Sequence, residues 1–395
     1  MDNFGRTSTF LNKIYNTLLR KLSFLILLCV LAASCSQFSR SPTSKAWHNL
    51  NAKFNASIDA KDYFSWGILK IDSTQLEDYS TILPILHKID SNQTAIAKEE
   101  LDEVIRLTSL VAERHSNSKY LDESYLLLGK ARLFKGDFIN AIEVFKYLNA
   151  NNSSQSAQNQ ALIWLMRAYM ESNDFNRAEE VSNTLSQAEL TKKSKGEYFE
   201  IKASLHQKKE EEALAAVFLE EALKYMKKST HKARAHFITG QLYSSLKRGS
   251  LARNNWKKVD KNKPTYDLEF NAGIEILMLG NDIGTNATAN FLKMLEDRKN
   301  IDLKDKIYFK MGEAKEKNGN YQSAIRAYTQ SVRLASDKNQ SASAYLKIAE
   351  IYHSKLQNYE SASSYYDSTL FNMNVRMPRF QEITDKASSL ADFVK

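Results

Sequence analysis

The chain has 395 residues and a formal net charge of +9, with 43% hydrophobic residues but only 12 glycines, 4 prolines and 2 cysteines. So little Gly and Pro beside abundant Ala, Leu, Lys and Glu excludes a collagen-like or turn-rich β fold and points to an all-α chain. Two cysteines exclude a disulfide framework, and lysines alternating with glutamates read as solvated helix faces, not a nucleic-acid stripe.

The first element is a leader. Arg6, Lys13, Arg20 and Lys21 precede an unbroken low-polarity run from Leu22 to Ala33. That run is well short of the ~20 residues a bilayer-spanning helix needs. A charged start, a short apolar core and small residues at its end make a secretory signal. Leu31-Ala32-Ala33-Ser34-Cys35 resembles the bacterial lipoprotein signal. Cleavage between Ser34 and Cys35 then leaves Cys35 as the acylated N-terminus; an ordinary signal peptide cut after "LAAS" is the alternative. Removing residues 1–34 takes away four basic side chains and Asp2, which leaves about +6, and it takes Cys29 with it. A mature chain with no free thiol uses no cysteine chemistry in its fold. Several acyl chains, at about 0.8 kcal/mol per buried methylene, hold a protein on a bilayer durably. "CSQFSR" carries no acidic sorting residue after the cysteine, so the expected location is the outer membrane, lipid-anchored and facing the periplasm.

Residues 35–45 read as a flexible polar linker. Residues 46–117 form an N-terminal helical cap region, with helices predicted over 46–64 and 95–115 and Pro84 breaking the chain between them. From 118 to 377 the sequence repeats itself. "SYLLLGKARLFKGDFINAIEVFKYL" from Ser124, "ALIWLMRAYMESNDFNRAEEVSNTL" from Ala161 and "IYFKMGEAKEKNGNYQSAIRAYTQSV" from Ile307 share one layout: helix, tight turn, aromatic, second helix. This resembles the tetratricopeptide repeat. Tyr125, Leu128 and Gly129 fit its first helix, and Gly136, Phe138, Ala141 and Phe145 fit its turn and second helix. Gly129 and Ala141 are expected to face each other where the two helices cross. The small residue of the second helix recurs at Ala141, Ala178, Ala215, Ala252, Ala287, Ala324 and Ala362, in steps of 35 to 38 residues. The expected fold is an all-α, right-handed α-solenoid of about seven helix pairs. The pairs near 196–226 and 266–297 rest on spacing more than on motif. Residues 378–395 read as a C-terminal capping helix opened by Pro378, with Phe380, Ile383, Ala387, Leu390 and Val394 on one face.

No Gly-rich phosphate loop, nucleophile elbow or His-Glu-x-x-His occurs, so the chain reads as a non-enzyme with no cofactor and no metal. His48, His87, His115, His206, His231, His236 and His353 are scattered, without metal-ligand spacing. First-helix residues line the concave wall of such a solenoid. The candidate partner-binding positions are Leu126, Lys130, Phe134, Arg167, Arg234, Phe237 and Gln241. Leu127, Trp164 and Ile238 stand where a carboxylate clamp of this repeat family has asparagine, which argues against such a clamp.

Three stretches carry a narrower resemblance: "HNLNAKFNASIDAKDYF" from His48, "DESYLLLGKARLFKGDFINAIEVFKYL" from Asp122 and "RAHFITGQLYSSL" from Arg234. With "FLKMLEDRKNIDLKDKIYFKMGEA" further on, they are similar to the PorW/SprE lipoproteins of the type IX secretion system. The resemblance implies a non-enzymatic outer-membrane adaptor that links the secretion pore to periplasmic ring and motor proteins, with a role in gliding motility where it occurs. Members of that family are longer than this chain. The alternatives are a β-barrel-assembly lipoprotein and a glycan-binding lipoprotein of nutrient uptake; the latter carries long insertions between repeats, which this chain lacks.

Overall fold

Ser41 caps the helix that begins at Pro42: its side chain accepts the Ser44 N–H, and Pro42 occupies the first turn, where no amide donor is needed. The computed structural model describes residues 20–24, 41–75, 77–79, 81–89, 94–151, 154–279, 285–374 and 379–394. Ser34, Cys35, Pro378 and the Ala287 side chain therefore lie outside the described residues. Among the described residues the regular structure is all helical, and the chain divides into two units, residues 1–227 and 228–395.

Unit 1 begins with α1 (Pro42–Ala52), which passes through a π turn (Lys53–Ser57) into α2 (Ile58–Ser73). Ser44, His48, Ala52, Ala56 and Ala60 are its buried side. A strict four-residue spacing drifts around a 3.6-residue helix, and one wider π turn takes up that drift. The two helices extend well beyond the predicted 46–64. Next come α3 (Lys98–Arg114) and three helix pairs: α4 (Leu121–Phe134) with α5 (Phe138–Asn151), α6 (Gln155–Glu171) with α7 (Phe175–Ser186), and α8 (Lys192–Lys208) with α9 (Glu212–Tyr225). Leu101, Val104, Leu107 and Val111 bury one stripe of α3 against α2 and α4, the spacing an amphipathic helix requires.

Unit 2 continues with α10 (Thr230–Ser245) and α11 (Gly249–Val259), α12 (Tyr266–Met278) and α13 (Thr285–Glu296), α14 (Lys304–Lys317) and α15 (Tyr321–Leu334), and α16 (Lys338–Ser354) and α17 (Tyr359–Asn372). Helix α18 (Phe380–Val394) closes it, burying Ile383, Ala387 and Leu390 against Ala349, Ala362 and Tyr366. Val394 is exposed and Phe380 only half-buried, so the buried face of α18 is shorter than its apolar spacing suggests.

One turn joins the helices of most pairs. Gly136, Asn173, Glu210, Lys247, Gly319 and Gln357 all have positive φ, between 53° and 81°. In the first pair Gly136 N–H reaches Leu133 O and Asp137 N–H reaches Arg132 O, which satisfies two orphan carbonyls of α4. The same two bonds recur at Asn173 and Asp174, at Glu210 and Glu211, and at Lys247 and Arg248. The pair near 196–226 is thus a full member of the array although its sequence matches poorly.

The crossing inside each pair is tight. A Cβ on Gly129 would overlap the Phe145 ring, one on Gly240 would overlap Trp256, and one on Gly312 would lie 2.6 Å from Tyr328. Phe145 is thus the nearest neighbour of Gly129 across the crossing. Ala141, Ala178, Ala215, Ala252, Ala324 and Ala362 are all fully buried.

Candidate partner-docking surface

The first helices of unit 1 carry a layered stripe of cations and aromatic rings. The Phe64 ring of α2 meets Phe134 of α4 at 5.8 Å, edge to face. The Arg167 guanidinium of α6 sits 5.0 Å from the Phe134 ring centre and 5.6 Å from that of Trp164. Lys130 Nζ lies 4.1 Å over Trp164. Such contacts gain strength where water is excluded. Farther along, Glu171 receives Lys208 Nζ of α8 at 2.8 Å, while its other oxygen stays 3.9 Å from Arg167 Nε.

Burial dominates the electrostatics here. It pushes the Lys130 ammonium down to about 8, with Lys193 and Arg167 adding to the fall and Glu197 and Glu123 opposing it. Burial also lowers Arg167, against the pull of Glu171, Glu200 and Asp72. Trp164 Nε1, Arg167 Nε, Glu171 Oε1 and Glu197 Oε2 are buried without a hydrogen-bond partner in the chain. Unsatisfied buried groups of this kind are costly, and an incoming polar chain that pairs with them recovers that cost. The stripe is suited to a segment carrying both carbonyl or carboxylate acceptors and donors.

A second feature borders the stripe. Residues 81–89, between α2 and α3, run to α8, where Gln207 Nε2 donates to Leu83 O at 2.9 Å and Ile85 N–H donates to Gln207 Oε1 at 2.7 Å. Leu83 and Ile85 are each 2% exposed, and Leu86 and Ile89 pack against the core cluster that includes Met166, Met170 and Tyr198. Sequence reasoning treated this stretch only as a break at Pro84. Its signal was the apolar L-P-I-L-x-x-I run in a connection of helix-breaking composition.

The candidate positions fall into both units. Lys130, Phe134 and Arg167 are brought together in unit 1, and Leu126 is half-buried against the core beside them. In unit 2, Phe237 is fully buried and accepts the Trp256 indole N–H on its carbonyl at 3.0 Å, so it is a packing residue and not a docking one. Gln241 is buried as well, while Arg234 is partly exposed. The "HNL" stretch divides in the same manner. His48 Nδ1 lies 2.9 Å from His115 Nδ1, Asn49 accepts the Lys119 N–H at 2.8 Å, and Leu50 points into solvent.

Among the described residues no group of His, Cys, Asp and Glu is arranged to hold a metal ion, and no helix is long and apolar enough to cross a membrane. In unit 2 a cavity of about 480 Å³ lies beside α18, lined by residues such as His353, Tyr359, Asp385 and Phe393.

Residues 305–338 match the tetratricopeptide repeat family. That match spans α14 and α15, and the other pairs share their helix–turn–helix layout. Among solved structures, the chain is similar to the apo form of the quorum sensor NprR from B. thuringiensis, at 16% identity and a TM-score of 0.43, over 69% of this chain and 80% of that one. It is also similar to the APC/C hetero-tetramer Cut9-Hcn1, at 15% identity and a TM-score of 0.38, over 81% of this chain and 50% of that one. No curated protein sequence matches. The architecture is that of a repeat scaffold suited to protein–protein interaction.

Proposed function

We propose that this protein is a non-enzymatic, lipid-anchored scaffold of the type IX secretion system, docking pore and periplasmic ring components on its first-helix surface. The observation that carries the docking role is the Lys130–Trp164–Arg167 stripe, in which Trp164 Nε1 and Arg167 Nε make no hydrogen bond inside the chain. The type IX assignment rests on the resemblance of the His48, Asp122 and Arg234 stretches to the PorW/SprE lipoproteins.

Membrane attachment through Cys35 is supported by α1 and α2. Trp47, Leu50, Phe54, Ile58, Trp66 and Leu69 share one outward side of these helices and are 39% to 64% exposed. The terminal face of a repeat array is normally polar, so an apolar one requires cover. Helix α1 begins only seven residues after Cys35, so an acylated Cys35 holds this side within about 25 Å of the bilayer surface. Trp, Phe and Leu flanked by Lys45 and Lys53 suit the headgroup boundary.

Affinity purification of the tagged, lipidated protein from its native envelope tests the assignment. Recovery of type IX pore or ring proteins is expected. Recovery of β-barrel insertion proteins or of a nutrient transporter instead would end the type IX reading. A Cys35→Ala chain is expected in the soluble periplasmic fraction or unprocessed, and full membrane retention of that variant would end the lipoprotein reading.

A further inference from the structure

We infer that the strap formed by residues 81–89 is an internal ligand: it occupies a peptide-binding site of unit 1 in cis, and a partner's extended aliphatic segment takes its place in trans. This deepens the docking role proposed above and rests on it.

The strap is held as a peptide is held. Pro84 fixes its own φ near the polyproline value and drives Leu83 into the extended region. Leu83 and Ile85 then point inward while Pro84 is exposed, the two-residue alternation of an extended chain. A single side-chain amide, Gln207, supplies one donor and one acceptor to the backbone of residues 83 and 85. That contact reads backbone and not side-chain identity, so any extended segment can use it. The apolar contacts set the preference: Leu83 and Ile85 are buried, and Leu86 and Ile89 lie on the unit 1 core. The ligand class is therefore an aliphatic peptide whose apolar residues follow the spacing of Leu83, Ile85, Leu86 and Ile89.

The position of Gln207 favours exchange over permanent fixture. It comes 122 residues after Ile85 in sequence and stands next to the left-handed turn at Glu210 that ends α8. Lys208, the next residue of α8, pairs with Glu171 of α6 at 2.8 Å. A tethered competitor acts at roughly millimolar effective concentration, so a trans peptide is suppressed until the strap leaves.

The probe is a fluorescein-labelled peptide of residues 81–89, titrated by fluorescence polarisation into the leaderless chain carrying Cys35→Ser. A second chain also has residues 82–89 replaced by a Gly-Ser segment of equal length. We expect the strap-less chain to bind the peptide at least tenfold tighter than the chain with its strap, and Gln207→Ala in the strap-less background to weaken binding at least tenfold. A strap-less chain that keeps its helical circular dichroism yet does not bind overturns the inference, as does equal binding by both chains. Loss of helical structure on strap replacement also overturns it, because the strap is then a structural element. Hydrogen exchange of the unaltered chain gives an independent reading. The Ile85 amide should exchange by local opening, faster than core amides of α6; exchange only through global unfolding would again make the strap a fixture. Neither measurement involves a secretion component, so failure here leaves the type IX assignment to the purification experiment, and failure there leaves this site standing.

Discussion

The ring of Phe145 lies against Gly129, 16 residues earlier, so closely that a single added methyl group would overlap it. The same relation holds between Gly240 and Trp256 and between Gly312 and Tyr328, again 16 residues apart. At the equivalent places in α6 and α7 stand Met166 and Ser182, and in α8 and α9 Ala203 and Leu219, all buried. Where the first helix offers no side chain the second supplies a large ring, and where the first is bulky the second is small. Volume at the crossing is conserved while residue type is not, as close packing demands.

This predicts opposite signs for one substitution at two glycines. Gly129→Ala gains helix propensity but forces Phe145, fully buried, out of its place, so a net loss of about 1–2 kcal/mol is expected. At Gly273, inside α12, a Cβ meets nothing within 4 Å, and Gly273→Ala should stabilise by about 0.5–1 kcal/mol. Denaturant midpoints of the two variants decide it. A stabilised Gly129→Ala would mean that the α4–α5 crossing is looser than described.

The array was legible in the sequence where the crossing uses Gly and an aromatic, as in α4–α5 and α14–α15. It faded where compensation used other pairs: Ala203 with Leu219 satisfies the same space but matches no motif. The turns tell a similar story. Gly136 and Gly319 announce a left-handed residue, whereas Glu210 and Lys247 adopt it silently because the bonds of the turn impose it. Lys130 and Arg167 were legible as first-helix residues. Their stacking on Trp164 and Phe134 was not, because it depends on the lateral register of neighbouring pairs. The strap was hidden for the same reason, since nothing local to residues 81–89 points to Gln207.

The left-handed turns at non-glycine residues make a second test. A side chain in this region costs about 1 kcal/mol or more, and glycine removes that cost while adding freedom to the unfolded chain. Glu210 is exposed with φ 62°. Glu210→Gly is expected to be neutral to stabilising by up to about 1 kcal/mol, and Glu210→Val to destabilise by about 1 kcal/mol or more. Thermal melts of both, compared with the parent, should show this order; the reverse order would contradict a left-handed residue at this turn.

Acidification should loosen the N-terminal helices. His115 is held below its ordinary 6.5 by burial first, then by His48 and Arg114. A protonated His115 cannot accept at Nδ1, which lies 2.9 Å from His48 Nδ1. The unfolded chain binds the proton more readily than the folded one, so stability is complete above about pH 7 and falls as the pH drops through 6.5 and below. The melting temperature between pH 7.5 and 5 should fall more steeply for the parent than for His115→Gln. Parallel curves would remove His115 as the cause.

Lys130 gives the opposite end of the pH scale. Its amine, brought down to about 8 mainly by burial, loses its proton in the folded chain well before a free lysine does. Between about pH 8 and 10.5 the unfolded chain holds a proton the folded chain has released, so this residue makes stability rise with pH across that window. The cation–π contact with Trp164 at 4.1 Å favours the charged form but does not outweigh desolvation. Two outcomes follow from that balance. Amine-reactive labelling read by mass spectrometry should show Lys130 with a midpoint near pH 8, well below the ordinary lysine value near 10.5. Lys130→Met, which keeps the stem over Trp164 and drops the charge, should leave stability at pH 7 unchanged or raised and flatten its rise above pH 8. A labelling midpoint above 10 would show that the ammonium is solvated, and the stripe would then lack the desolvated cation on which its suitability for a docking segment depends.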